Sequence, residues 1–178
     1  IYLDIIKPID SQFDLFPYQR LFLRALMRYN QIYITATRAA SKSFLSVLGL
    51  YLQCVFIPNH RCSIVAPVKT QGVKIMRQKV EEIIKIWPLL EKELEVYMGK
   101  PHMNFSKDVA ELYFKNGSKF TCEGATDSSR GLRLHSTFLD EVRDADGDII
   151  SEVILPQLNV SRRDANGLVN PYEVCNQQ

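Results

Sequence analysis

Apolar residues recur at helical spacing in three segments of the chain. These are residues 17–29, residues 42–56, which end just ahead of Pro58, and residues 70–87. Every third or fourth residue of the third segment is apolar: Val73, Ile75, Met76, Val80, Ile83, Ile84 and Trp87. Such a stripe buries against the rest of a protein, so we predict an amphipathic α-helix in each segment.

Shorter apolar segments have the pattern of β-strands. Residues 31–35 and 62–67 are nearly continuous apolar runs, and residues 135–141 form another that ends in two acids. Runs of this kind are typical of parallel strands buried on both faces. Within residues 111–122, Asn116-Gly117 separates two strand-like runs, which is the strongest short-range signal of a β-hairpin.

The order of these segments predicts the fold. Helices and strands alternate as far as the hairpin, and one more strand follows it. This order predicts an α/β fold with a mostly parallel central sheet, helices on both faces, and a β-hairpin near residues 111–122. The 178 residues contain no internal repeat and no linker-like stretch, so we predict a single domain over residues 1–178.

Composition narrows the class of protein only slightly. The net charge of +2 and the charged fraction of 24% are ordinary, so charge alone gives no indication of nucleic-acid binding. The longest apolar stretch, residues 44–57, contains polar interruptions and is too short to span a membrane. Cysteines that lie far apart in the sequence predict reduced thiols of a cytosolic protein rather than disulfides or a zinc site: Cys54, Cys62, Cys122 and Cys175.

A lysine lies between the first predicted strand and the second predicted helix. Phosphate-binding loops read G-x-x-x-x-G-K-[ST] at such a junction. Here the frame reads Ala36-x-x-x-x-Ser41-Lys42-Ser43, with neither glycine. In such loops backbone N–H groups at a helix N-terminus bind the phosphates, and alanine and serine are the next smallest residues after glycine. Two interpretations stay open here, a phosphate-binding loop and an ordinary strand–loop–helix connection.

Two acids end the last predicted strand. Asp140 and Glu141 follow Phe138-Leu139, as in a Walker B element, where the first acid holds Mg²⁺ and the second activates water. The alternative is a pair of acids that only caps a strand. Because ligands of open α/β sheets bind at the carboxyl ends of strands, both motifs in this order predict an ATPase.

Four short stretches of the sequence resemble motifs of one family of ATPases. Phe16-Pro17-Tyr18-Gln19 precedes the loop, "TRAASKS" has an arginine four residues before the lysine, "IVAPVKTQ" follows, and "SSRGLRLHSTFLDE" runs into the two acids. Over residues 16–141 the chain thereby resembles the ATPase domain of the large terminase subunit, the motor that packages DNA into the heads of tailed bacteriophages and related viruses. The four stretches are similar to that family's adenine-binding motif, its deviant Walker A, a strand and loop of helicase-like motors, and its run into Walker B.

The resemblance implies a RecA-like (ASCE-type) P-loop NTPase that binds ATP. Tyr18 and Gln19 would bind adenine, with the Gln19 amide making a two-pronged contact; a solvent-facing helix glutamine is the alternative. The phosphates would lie against a loop of eight residues: Ala36, Thr37, Arg38, Ala39, Ala40, Ser41, Lys42 and Ser43.

The resemblance also implies how ATP would be hydrolysed. Lys42 and Arg38 would stabilise phosphate charge, Ser43 and Asp140 would hold Mg²⁺, and Glu141 would activate the water. A surface salt bridge is the alternative role for Arg38. Two departures from the family are evident. Ser41 replaces the loop glycine, and no clear coupling motif follows Walker B, although residues 173–178 lie where it is expected.

Further basic residues have two interpretations each. Arg130, or Arg133 beyond Gly131, is expected to act in trans on a neighbouring subunit's nucleotide, and a loop contact within one subunit is the alternative. Four cations of the third predicted helix region either meet DNA phosphates or form a solvated helix face: Lys69, Lys74, Arg77 and Lys79.

The function implied by the resemblance is ATP hydrolysis that drives double-stranded DNA into a viral procapsid. The implied partners are double-stranded DNA, the portal protein, the small terminase subunit and further copies in a ring, expected to be a pentamer. The protein would work in the host cytoplasm, docked transiently on the procapsid and without a membrane. We expect the chain to be a fragment, with a nuclease domain downstream. The alternatives are a helicase-type translocase domain and a degenerate nucleotide-binding scaffold module.

Overall fold

The computed structural model describes residues 1–29, 31–37, 40–124, 133–140 and 147–158. The helices are α1 (Tyr2–Ile5), α2 (Pro17–Arg28), α3 (Lys42–Phe56), α4 (Lys69–Ile86), α5 (Pro88–Glu91), α6 (Gly147–Ile149) and α7 (Leu155–Gln157), with a π-helical turn at Ile150–Ile154. The strands are β1 (Arg61–Ala66), β2 (Val96–Tyr97), β3 (Lys100–Pro101), β4 (Met103–Phe105), β5 (Ala110–Tyr113), β6 (Lys119–Gly124) and β7 (Ser136–Leu139).

Five strands form the central sheet, in the order β4-β5-β6-β1-β7. Strand β1 lies in the middle of its parallel part and pairs with both β6 and β7. The β5–β6 hairpin and β4 add the antiparallel pairings, and β2 with β3 forms a separate small hairpin. The predicted α/β fold, with a central sheet flanked by helices, is therefore confirmed, and so is the hairpin near residues 111–122.

The three predicted helices form within one residue of their expected ends, as α2, α3 and α4. Pro17 occupies the first turn of α2, where its missing N–H costs nothing. Helix α3 ends at Phe56, two residues before Pro58, which has no N–H with which to continue the helix. None of the described helices is long and apolar enough to cross a membrane.

Helices α3 and α4 lie on the same face of the sheet. Side chains alternate along a strand, so Cys62 and Ala66 of β1 point to one face. The Cys62 thiol approaches the Leu50 carbonyl of α3 at 3.8 Å. On α4, a Cβ added to Gly72 would lie 2.9 Å from the Ala66 Cβ and 2.7 Å from the Cys122 sulfur. The glycine therefore lets α4 approach β1 and β6 directly.

The turn of the β5–β6 hairpin satisfies carbonyls at the end of α3. The Asn116 amide donates to Cys54 O at 2.7 Å and to Val55 O at 3.1 Å. The Ser118 hydroxyl donates to Ile57 O at 2.8 Å. The last carbonyls of a helix have no partner within it, so these bonds attach α3 to the sheet at its C-terminal end.

The cysteines are buried free thiols where the structure describes them. The cysteines were expected to lie apart because they are distant in the sequence. That expectation is wrong for Cys54 and Cys62, whose sulfurs lie 3.2 Å apart in the core. Burial raises the pKa of Cys122 to about 12, so this thiol stays protonated. Cys175 lies outside the described residues.

The strand predicted at residues 31–35 is wrong. These residues are extended chain without strand pairing, and the Tyr33 side chain is 84% exposed. A strand needs a hydrogen-bonded neighbour, and none of the described strands pairs with this segment. The last predicted strand forms as β7 but is half-buried, because it lies at the edge of the described sheet.

Candidate functional site

The predicted phosphate loop leads directly into helix α3. Ser41, which replaces the motif's second glycine, has φ 57° and ψ 26° and so adopts the left-handed conformation that glycine favours. Its carbonyl accepts the first helical hydrogen bond, from Leu45 N at 2.9 Å. The loop backbone thus keeps a glycine-type conformation at this position without a glycine. Arg38 and Ala39 lie outside the described residues.

The N-terminus of α3 has the properties of an anion site. The helix has 15 residues, and the side chain of its N-cap residue, Ser41, makes no cap hydrogen bond. Such groups carry partial positive charge and bind phosphate or carboxylate. Lys42 is the first residue of the helix and is exposed, and no ion pair joins it to a carboxylate of the described residues. Ala36 and Thr37 are exposed, and Ala40, Ser41 and Ser43 are partly exposed.

Asp140 follows the last residue of β7. Its N–H donates to Val65 O at 3.0 Å, which continues the parallel pairing with β1 by one residue. Asp140 is therefore held at the carboxyl end of the parallel strands and is half-buried. Glu141, the predicted base, lies outside the described residues.

Helix α3 and strand β7 bring Ser43 and Asp140 to the same edge of the sheet. Only residues 57–60 join α3 to β1, so the helix runs antiparallel to the strands it covers. Near the opposite edge, Gln53 of α3 is hydrogen-bonded to Ser136 of β7. From there Ser43 lies about 15 Å back along the helix, and Asp140 about 13 Å forward along the strand. Because the helix and the strand are antiparallel, both displacements lead toward the carboxyl ends of the strands. Ser43 and Asp140 therefore lie at the same end of the sheet.

The hydroxyl of Ser43 and the carboxylate of Asp140 are both hard oxygen ligands. Mg²⁺ takes oxygen ligands and commonly uses one or two protein groups together with phosphate oxygens. The two residues that the sequence predicted for Mg²⁺ therefore fit that ion chemically, and they share one edge of the sheet.

The predicted adenine-binding residues lie at the start of α2. Gln19 is only 5% exposed, so the alternative of a solvent-facing glutamine is wrong. Its Oε1 accepts Phe16 N at 2.9 Å and closes the helix N-terminus. A two-pronged contact with adenine would require the same oxygen to accept a second hydrogen bond. The Tyr18 ring is half-exposed and stacks on Phe16 with centroids 6.0 Å apart.

The predicted cationic residues differ in their surroundings. Arg130 lies outside the described residues, and Arg133 is exposed. Three of the four cations proposed for DNA already have acidic partners: Lys69–Glu123 at 3.5 Å, Arg77–Glu81 at 2.9 Å and Lys79–Glu82 at 2.7 Å. Only Arg77–Glu81 is exposed on both sides, and the other two pairs are partly buried. Cations already paired at the surface favour the solvated helix face, and DNA contact stays a prediction.

A polar link that the sequence patterns did not predict joins α2, α3 and β7. Gln53 Nε2 donates to Leu26 O at 2.9 Å, which fixes the orientation of the amide because a carbonyl only accepts. Gln53 Oε1 then accepts from the Ser136 hydroxyl at 2.6 Å. Since Ser136 donates its one proton there, His60 Nε2 must donate to Ser136 Oγ, also at 2.6 Å. We call these contacts the Gln53 link.

Comparison with solved structures identifies the fold. The ATPase domain of the Thermus phage P74-26 large terminase matches with a TM-score of 0.50 and 21% identity, over 82% of this chain and 66% of that one. The large terminase of a thermophilic bacteriophage, in complex with ATP-gamma-S, matches with a TM-score of 0.57 and 13% identity, over 81% of this chain and 35% of that one. A further structure of that second terminase matches at 12% identity, with a TM-score of 0.51 and coverage of 78% and 34%.

These likenesses show that the chain has the fold of large terminase ATPase domains, which is the RecA-like fold expected from the resemblance. The chain spans 66% of the P74-26 domain and 35% of the terminase solved with ATP-gamma-S. No protein-family model and no curated protein matches the sequence.

Proposed function

We propose that this chain is the ATP-hydrolysing part of a large terminase, which drives double-stranded DNA into a viral procapsid. One observation carries the proposal. In a chain with this fold, the N-terminus of α3 and Asp140 lie at the same end of the sheet, the carboxyl end of the parallel strands. Ligands bind at that edge in open α/β sheets.

Each residue would act on the phosphates in a distinct way. The first N–H groups of α3 would donate hydrogen bonds to the phosphates, and Lys42 would add a positive charge beside the β- and γ-phosphates. Ser43 and Asp140 would hold Mg²⁺, which supplies charge neutralisation of the phosphate oxygens. Glu141 would accept a proton from the attacking water, and Arg38 would stabilise charge on the γ-phosphoryl group.

The proposal extends to assembly and partners. We place the protein in a homo-oligomeric ring, a pentamer, that docks on the procapsid in the host cytoplasm through the portal protein and works with the small terminase subunit. Arg130 would complete the nucleotide site of the neighbouring subunit. The fold of large terminase ATPase domains supports this assignment.

Two substitutions test the ATPase site when binding and turnover are measured separately on the full-length protein. Lys42→Ala removes the charge beside the phosphates, so fluorescent-nucleotide affinity and turnover should both fall. Glu141→Gln keeps the shape of the side chain but removes the base, so nucleotide still binds and hydrolysis is lost. Lys100→Ala is a matched control, because Lys100 is an exposed lysine in the small β2–β3 hairpin.

The outcomes separate the proposal from its alternatives. Unchanged affinity in Lys42→Ala would show that the loop is an ordinary connection and not a phosphate site. Turnover in Glu141→Gln within a few-fold of wild type would remove Glu141 from catalysis. A wild-type protein that binds nucleotide without hydrolysis, even with DNA and procapsids, would support the scaffold module. A second RecA-like domain in the downstream sequence would favour the helicase-type translocase.

A further inference from the structure

We infer that Gln53 is a positioning residue of the proposed ATPase site, which sets the separation of Ser43 and Asp140 by joining helix α3 to strand β7. This inference rests on the proposed function. Gln53 touches neither nucleotide nor metal in this assignment. It would act through the two elements that carry the Mg²⁺-holding groups.

Strand β7 is attached to β1 by backbone pairing and by the Thr137–Ser63 side-chain contact at 3.0 Å, and the Gln53 link adds an attachment to α3. Among the described strands, β7 pairs with β1 alone, so only one ladder of backbone hydrogen bonds holds it. The Ser136–Gln53 hydrogen bond is its side-chain attachment to α3, and it is short, at 2.6 Å. Gln53 is 5% exposed, and a hydrogen bond is stronger in such a poorly solvated place than in water.

A link at one end of two stiff elements also sets their separation at the other end. From Gln53 to Ser43 the helix is continuous, and from Ser136 to Asp140 the strand and its last hydrogen bond to Val65 are continuous. A slip of β7 against α3 at the link would therefore shift Asp140 relative to Ser43. Mg²⁺ requires a near-ideal octahedron of oxygens at about 2.1 Å, so it tolerates little displacement of either group.

The same amide also attaches helix α2. Gln53 Nε2 donates to the Leu26 carbonyl, near the end of α2. One turn earlier, Gly49 lets Leu26 approach α3, because a Cβ there would lie 2.4 Å from Leu26 Cδ1. Gln53 therefore connects all three elements to which the sequence assigned parts of the site.

The test compares two ways of breaking the link in the full-length protein. Gln53→Met keeps an unbranched side chain of similar length but loses both hydrogen bonds. Ser136→Ala removes the partner hydroxyl, whereas Ser136→Thr keeps it on a residue that suits a strand. The control is Asn116→Ala, which weakens the attachment of α3 to the hairpin turn by breaking two hydrogen bonds to its carbonyls. Among the described residues, Asn116 has no hydrogen bond to β7.

Two measurements distinguish positioning from stability alone. We expect Gln53→Met and Ser136→Ala to raise the Mg²⁺ concentration for half-maximal ATP turnover roughly 10-fold or more, as for other residues that orient metal ligands. Independently of activity, hydrogen exchange of the β7 amides should speed up in both variants. The double variant should be less impaired than the sum of the two single effects predicts, because the two changes share the loss of the Ser136–Gln53 bond. Ser136→Thr should restore the wild-type Mg²⁺ requirement.

The control decides the interpretation. Asn116→Ala should lower the thermal midpoint but leave the Mg²⁺ requirement and the β7 exchange unchanged. If Gln53→Met and Ser136→Ala behave like Asn116→Ala, the link is structural only and the positioning role is overturned while the ATPase stands. If wild-type protein shows no Mg²⁺-dependent turnover, the proposed function is overturned, and the positioning role with it.

Discussion

Replacing Ser41 with glycine should stabilise the protein. Ser41 has φ 57° and ψ 26°, a conformation that costs a residue with a Cβ about 1–2 kcal/mol. Glycine removes this cost, but it also increases the conformational entropy of the unfolded chain. That increase lowers the free energy of unfolding by about 0.4–1 kcal/mol. The Ser41 side chain makes no cap hydrogen bond, so its hydroxyl offers little in return. The net gain should be about 0.5–1 kcal/mol in the free energy of unfolding.

The assay is urea unfolding followed by the fluorescence of Trp87. This residue is the one tryptophan of the sequence and is 1% exposed, so its emission reports loss of the core. A gain of this size should also raise the thermal midpoint by about 1–4 °C in a domain of this length. The slope of the free energy of unfolding against urea concentration should stay the same, because the surface exposed on unfolding does not change.

Two further variants make the result interpretable. Met98 also has positive φ, at 50°, and its side chain is 86% exposed, so Met98→Gly tests the same backbone argument far from the loop. Ser41→Val should lose at least about 1 kcal/mol, because a β-branched residue tolerates this conformation poorly. If Met98→Gly stabilises the protein and Ser41→Gly destabilises it, the backbone reasoning fails at Ser41 and its side chain has a stabilising partner. If neither variant gains stability, the cost of the left-handed conformation is overestimated at both sites.

Two other predictions concern assembly and pH. Mixing Arg130→Ala subunits with Glu141→Gln subunits should restore some ATP hydrolysis if Arg130 acts on a neighbour; no recovery at any ratio, in confirmed rings, would contradict a role in trans. Lys119 and Tyr113, which donate to Glu111 at 2.8 and 2.9 Å, hold the pKa of Glu111 below its usual value. The ionised form therefore stabilises the fold at neutral pH, and this contribution disappears as the pH falls below about 4. Glu111→Gln should cost about 1 kcal/mol at neutral pH and almost nothing in acid, as measured by urea unfolding; an equal cost at both pH values would contradict this assignment.

Local patterns predicted most of the fold correctly because they need no distant partner. The apolar stripes of α2, α3 and α4 repeat within a single helix, and each predicted helix matched the observed one within a residue. The β5–β6 hairpin depends on a turn of adjacent residues, where Gly117 has φ +82°. Signals of this kind are complete within a short window of sequence.

Features that depend on remote partners were missed or wrong. Residues 31–35 have the composition of a strand, but no described strand pairs with them, and composition cannot supply that neighbour. Cys54 and Cys62 are eight residues apart, yet a reversal of the chain between α3 and β1 brings their sulfurs together. The sequence did predict Ser43 and Asp140 for one Mg²⁺ site, but the direction of α3 against β7, which places both at the carboxyl end of the strands, is visible only in the structure.

The Gln53 link did leave a signal in the sequence, which was used only to argue against a membrane span. Helix α3 is apolar over most of its length but is interrupted by Ser46, Gly49 and Gln53. These interruptions are three and four residues apart, so they lie along one side of the helix. In the structure Gly49 and Gln53 both meet Leu26 of α2. Small and polar residues at helical spacing inside an apolar helix thus mark the side where another backbone approaches closely, and a buried amide on that side is the residue to test for a connecting role.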